Sequence, residues 1–288
     1  MPNADLPTES HRYKYWAFLS YSHQDNLPTR GDGSGDHIPW ANWLHEQLET
    51  FRIPEGYRDR TTRTGEPMPE RFFPAFRGKA ELPTSHDLGG QIRDALARSR
   101  FLIVIASPHS ARSRYVNEEV RHFRQLGRGD RILTLIVDGE PNVRLHPKPG
   151  WTAGDDCFCP ALVHPLRPDG EVDTARLLPE EPIAADVRVK DTEPPRELRA
   201  IERDQPDRRA LLDFMKLKLV AGLMGAGLDE LVQRDKRRTL ENSGLLMGIC
   251  YPVSVQCRFV GDPLIRETLQ KQEPISRWID EKLILKYV

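Results

Sequence analysis

Apolar positions along this chain fall into two kinds of pattern, and the two alternate. Residues 15–20 (YWAFLS) form a short apolar run that ends in SYSHQD, read here as a first strand and its exit loop. Trp40, Leu44, Leu48 and Phe51 then recur at helical spacing, with Trp43 and Gln47 between them. That spacing predicts an amphipathic helix, stopped at Pro54. Phe72 to Phe76 reads as a short strand, and Pro74 within it confines it to a sheet edge. Leu88, Ile92 and Leu96 mark a second helix, with Ser85 and Asp87 available as caps. The run Phe101 to Ala106 (FLIVIA) is apolar without a break and rich in β-branched residues, the pattern of a strand buried on both faces. A helix is expected from about Arg114 to Leu126, and another buried strand over Ile132 to Val137.

Strand and helix therefore alternate, which predicts an α/β fold with a parallel sheet wrapped by helices. Between the elements, Asn26 to Asp36 (NLPTRGDGSGD) and residues 55–70 are rich in Gly, Pro and Thr and read as loops, the first of them mobile. From Asp138 to Asp207 the text is Pro-rich and irregular, with CFCPALV (157–163) a candidate edge strand. Residues 208–233 become helical again, with Leu212, Met215, Leu219 and Met224 near one stripe, and RDKRR (234–238) closes that helix with positive charge. The expected organisation is a core over 13–140, an extension over 141–240 that ends in a helix, and a tail over 241–288. Asn242 to Cys257 is uncharged but shorter than the roughly 20 residues needed to span a bilayer.

Composition narrows the function classes. A formal net charge of -1 on 288 residues leaves no basic excess of the kind that nucleic-acid binding requires. The opening MPNADLPTES has neither a positive n-region nor an apolar stretch, so no secretory signal is read and a cytoplasmic setting with reduced thiols is expected. Cys157 and Cys159 form a C-x-C, with Cys250 and Cys257 far away, a spacing unlike the common structural zinc motifs; no metal is expected.

In open parallel sheets a ligand binds at the carboxyl ends of the strands. Here those ends carry Ser20-Tyr21-Ser22, Arg77-Gly78-Lys79 and Ser107-Pro108, with no glycine-rich phosphate fingerprint and no aspartate closing the third strand. The helix that follows, within RSRYVNEEVRHF (112–123), offers two carboxylates. At about 100° per residue, Glu118 lies roughly 200° from Val116 and points to water, whereas Glu119 lies about 60° from Val116 and about 40° from Tyr115. Glu119 is thus placed at the border of the buried stripe formed by Val116, Val120 and Phe123, under the strand ends and roofed by Tyr115.

Several stretches in this order resemble the bacterial Toll/interleukin-1 receptor (TIR) domain family, a flavodoxin-like doubly wound fold. FLSYSHQD (18–25) resembles its first box, and FRGKAELPTSHDLGGQIRDAL (76–96) its BB loop and the helix after it. FLIVIASPHSARSRYVNEEV (101–120) resembles its third strand and S-x-W-x-x-x-E segment; PIAADVR (182–188) and LKLVAGLMGAGLDELVQRDKRR (217–238) resemble stretches of bacterial members. The resemblance spans roughly residues 13–238.

It implies a NAD+ glycohydrolase that releases nicotinamide with ADP-ribose or a cyclic ADP-ribose. It also implies activation by assembly, in antiviral defence or signalling. The family's catalytic glutamate falls on Glu119, counted from Tyr115, which stands where the family has tryptophan. Gly78 stands where an acidic residue is common. Ser20 and Ser22 become candidates for phosphate or ribose, Arg77 for the pyrophosphate, Leu82 for the substrate side of the BB loop, and Tyr21, Phe76 and Tyr115 for stacking on a base. The alternatives are turn residues for the serines, an ion pair for Arg77 and core packing for the aromatics. NAD is expected as substrate, with no cofactor and no membrane, and with self-association and a separate sensor protein as partners. Two other classes stay open: a non-catalytic module that binds other TIR domains, and a ribosyl transferase using the same glutamate.

Overall fold

The apolar runs at 15–20, 101–106 and 132–136 become strands. The computed structural model describes residues 13–28, 36–78, 88–179 and 182–249, and the fold below is that of the unit Met1–Leu240. Strands β1 (Tyr15–Ser20), β2 (Ala75–Phe76), β3 (Ser99–Ala106), β4 (Ile132–Ile136) and β5 (Ala184–Asp186) pair in parallel, in the order β2-β1-β3-β4-β5. That is the flavodoxin-like order of a doubly wound sheet. All eight residues of β3 are buried, and its side chains alternate between the two faces. Phe101, Ile103 and Ile105 join Ala17, Leu19 and Leu135 beneath helices α1 (Trp40–Thr50) and α6 (Pro206–Met224). Leu102, Val104 and Ala106 join Phe18, Phe76 and Ile136 beneath α2 (Leu88–Ala97), α4 (Arg114–Gln125) and α5 (Pro160–Val163). At roughly 1.5–3 kcal/mol for each large apolar side chain buried, these two layers dominate the stability of the unit.

Side chains from the helices finish the sheet at both margins. The outward N–H of Ala75 in β2 donates to Glu49 Oε1 at 3.0 Å, and its carbonyl oxygen lies 3.2 Å from His45 Nε2, both partners on α1. On β5, Lys218 Nζ of α6 donates to the carbonyl of Ala184 at 2.8 Å, and the N–H of Asp186 points to Met215 Sδ at 3.4 Å.

Three expectations need correcting. The strand read over Phe72 to Phe76 is only two residues long. The edge strand comes from Ala184–Asp186 and not from CFCPALV, where Pro160 instead opens the short helix α5. Proline's fixed φ suits a first helical turn, and its missing N–H does not suit a ladder. The single helix expected over 208–233 is two. Gly225, at φ 70°, closes α6, and α7 (Leu228–Ile249) carries RDKRR in its middle instead of at its end. Arg234 lies over the Tyr57 ring at 4.9 Å and Arg238 over Phe51 at 5.4 Å, so these charges fasten α7 to the segment after α1. The caps Ser85 and Asp87, most of loop 26–36, and the tail beyond Ile249 lie outside the described residues.

The extension is held by charge. Arg188, just past β5, donates to both carboxylate oxygens of Asp186 (2.9 and 2.8 Å), to Glu140 at 2.7 Å and to the Gly139 carbonyl. Lys148 also meets Glu140, and Lys190 meets Asp186 at 3.1 Å. Burial, the largest single influence, pushes the two carboxyls up, but the hydrogen bonds and charge of Arg188, with Lys190 beside Asp186 and Lys148 beside Glu140, together hold both below their ordinary values. Groups whose folded pKa is depressed stabilise fully above the unfolded value and lose that contribution as pH falls through the carboxylate range, around pH 4. Melting temperature should therefore fall as pH is lowered through that range. Arg188→Met should cost about 3 kcal/mol at neutral pH, because it leaves buried carboxylates short of a partner. Thermal unfolding of both proteins across pH checks this; the gap between them should close in acid, and a gap independent of pH would refute it.

Candidate functional site

The chain leaves β1 toward the α1 face and leaves β3 toward the α4 face, so a crevice opens beyond the carboxyl ends of these neighbouring strands. Ser20 is the last residue of β1 and is buried. Across the crevice, α4 begins at Arg114 with Ser113 as its N-cap, the Ser113 hydroxyl accepting from the Val116 N–H at 3.4 Å. Val116, Val120 and Phe123 press that helix onto the sheet, which turns Glu119 toward the strand ends. The Ser20 hydroxyl donates to Glu119 Oε2 at 2.5 Å, joining residues 99 positions apart. A bond of that length to a carboxylate is charge-assisted and fixes the carboxylate's direction. Glu119 is half-buried. Glu118 turns to the other flank, where it pairs with Arg121 at 2.6 Å, and Arg121 in turn reaches Glu171 at 3.0 Å.

The remaining sequence candidates divide. Tyr21 is half-buried, packs against the core of the α1 face, and lies beside Gly78, whose ideal Cβ would sit 3.6 Å from Tyr21 Cε1. Gly78 has φ 54°, a left-handed conformation that glycine adopts readily and most side chains do not. Ser22 stands at the start of the 3-10 turn His23–Asn26, where its carbonyl accepts the Asp25 N–H at 3.0 Å. Arg77 reaches the first turn of α1, donating to Asn42 Oδ1 at 2.6 Å, and Asn42 is braced by Asn26. Phe76 is 2% exposed, its ring 4.9 Å from Tyr15 and 5.2 Å from Phe18. Its ring is thus taken up by the core. Tyr115 is 62% exposed, one turn ahead of Glu119, and so rims the crevice more than it roofs it. Leu82 lies outside the described residues. Sequence reasoning passed over Asp25, which is buried and accepts from the Ser107 hydroxyl at 2.7 Å. Its partner is 82 positions away, and no local spacing signals such a pair.

Parts of the chain are similar to known proteins. The family model described as "Thoeris protein ThsB, TIR-like domain" matches residues 33–142. The protein named NAD(+) hydrolase ApTIR, from Actinoplanes sp. (strain ATCC 31044 / CBS 674.73 / SE50/110), is 37% identical over 70 residues, covering 24% of this chain. The chain spans only 10% of that relative's length. Among solved structures, the TIR domains of the activated Roq1 resistosome directly recognizing the pathogen effector XopQ align at a TM-score of 0.30 and 17% identity. That alignment covers 47% of this chain and 65% of that one.

No group of three or more His, Cys, Asp or Glu side chains suited to a metal occurs among the described residues. Cys157 and Cys159 lie buried in the core of the α4 face. Burial pushes the Cys157 thiol well up, and pushes that of Cys159 up to about 12 against the pull of the backbone N–H groups that open α5. Since the thiolate is the reactive form, neither should be alkylated by iodoacetamide at pH 8 in the folded protein, and both should be in urea. Peptide mapping by mass spectrometry checks it; native labelling of either at the rate of a free thiol would refute the burial.

Proposed function

We propose, from the premise that the chain is a bacterial TIR domain protein, that it cleaves the bond between nicotinamide and ribose in NAD+. The observation that carries the reading is a half-buried glutamate, Glu119, aimed at the strand-end crevice and oriented by a buried hydroxyl, Ser20. Similarity to a protein named as a NAD(+) hydrolase supports it.

The reaction asks little of the protein. When the C1′–N bond breaks, its electron pair goes to the pyridinium nitrogen, and nicotinamide leaves neutral without a general acid. The ribose carbon left behind gains oxocarbenium character, and a fixed carboxylate stabilises that charge, as the second carboxylate does in glycosidases. Water then adds its oxygen to C1′ and releases a proton, giving ADP-ribose; attack by a nitrogen of the adenine would give a cyclic product instead. Arg77 is assigned to the pyrophosphate, with Asn42 steadying it. Tyr21 and Tyr115 are assigned as aromatic walls, Tyr115 giving a smaller wall than tryptophan. Self-association is proposed to switch the site on, in response to a separate sensor and in defence or signalling. Among the described residues no helix is long and apolar enough to cross a membrane.

Nicotinamide release from NAD+ by the purified chain tests the reading. Glu119→Gln should lower turnover by about a hundredfold or more. Ser20→Ala should lower it by about ten- to hundredfold, the worth of a hydrogen bond to a charged group. Glu118→Ala should leave it nearly intact. Equal loss in the two glutamate variants, with folding preserved, would sink the assignment. Inert NAD+ under every condition would favour the non-catalytic TIR-binding module instead.

If assembly is the switch, specific activity should climb with protein concentration or crowding agent. Light scattering alongside the assay decides it, and activity strictly proportional to protein, from a monomer throughout, refutes the switch.

A further inference from the structure

A second cross-link spans the crevice beside the Ser20–Glu119 bond. Asp25 sits in the 3-10 turn that leaves β1, is 2% exposed, and accepts from the Ser107 hydroxyl at 2.7 Å. Ser107 is fully buried, follows β3 directly and caps the short helix α3 (Pro108–Arg112). Its Oγ accepts the N–H groups of His109 (3.1 Å) and Ser110 (3.0 Å), while Ser110 Oγ accepts the Ser107 N–H at 2.8 Å. The far end of α3 is Ser113, which is also the N-cap of α4. From Asp25 to the first turn of α4 every joint is therefore hydrogen-bonded, and Glu119 stands one turn further on.

Capping α3 needs only the lone pairs of the Ser107 oxygen; its proton is left to be placed. A neutral backbone carbonyl would satisfy that proton. A buried carboxylate is a costly acceptor, retained only where its bonds return the desolvation. The return here is geometric, because the bond ties the exit of β1 to the exit of β3 across the crevice.

We propose that Asp25 is a positioning residue: it holds Ser107, and through α3 the start of α4, against the β1 exit so that Glu119 meets Ser20. The proposal rests on the NAD-cleaving reading of the same crevice. In the full chain, Asp25→Ala should lower kcat for nicotinamide release by about ten- to hundredfold while KM moves far less, the signature of a misplaced reacting group. Asp25→Asn keeps an oxygen that accepts from Ser107 and should restore most of kcat. Ser107→Ala carries the same kinetic test if Asp25→Ala does not fold, and where both fold the double variant should be no worse than the poorer single one. A second readout does not need turnover. In protein labelled with 13C-glutamate, the carboxyl resonance of Glu119, identified as the signal missing from Glu119→Gln, should shift in Asp25→Ala and return in Asp25→Asn. Wild-type kcat in Asp25→Ala, equal losses in the Ala and Asn variants, or an unmoved resonance each overturns the proposal. If the wild type releases no nicotinamide while the resonance shifts as stated, the NAD reading fails and the positioning role stands.

Discussion

Strand β3 allows no solvent on either side, and that constraint organises the molecule. A strand with eight buried residues must lie inside the sheet with a helical layer on each face, so its two neighbours, β1 and β4, run parallel to it; β4 follows it through helices, and β1 reaches it by way of α1, β2 and α2. The crossovers after β1 and after β3 leave to opposite faces. In the gap between them a strand end, a helix and the polar side chains of Ser20 and Glu119 converge. The candidate site is thus a by-product of how a doubly buried strand is covered.

Within that gap, charge is handled differently from the way it is handled in the extension. Around Arg188, two carboxylates and three cations close on one another, and the side chains are used up by mutual neutralisation. Glu119 is instead steered by a neutral hydroxyl, which fixes its direction and leaves its charge uncancelled by that contact.

Much of this was legible in the sequence because it is written in local periods. The run FLIVIA gave the central strand, and the spacing Val116, Val120, Phe123 gave both the helix and the angle that separates Glu119 from Glu118. What stayed hidden depends on contacts between distant segments. Ser20 reads locally as a turn residue or as a group for phosphate or ribose, and no local spacing shows that its hydroxyl reaches Glu119. Phe76 reads equally as a stacking or a core aromatic, and strand alternation sends its ring into the core beside Phe18. Arg234 and Arg238 looked like a charged helix end, and nothing local announces that Tyr57 and Phe51 stand within reach of them. CFCPALV reads locally as an apolar run, and Pro160 is the one local mark of the short helix that it opens.

The finished margins of the sheet also guard the molecule against aggregation. Open sheets run the risk of growing sideways, strand upon strand, into fibrils, because an unpaired edge is a template for any extended chain. Here the outward groups of Ala75, Ala184 and Asp186 are already engaged by Glu49, His45, Lys218 and Met215. An arriving strand would have to strip those partners away before it could zip on. Blunted borders of this kind leave contact with other molecules to side-chain surfaces, which can release as well as bind.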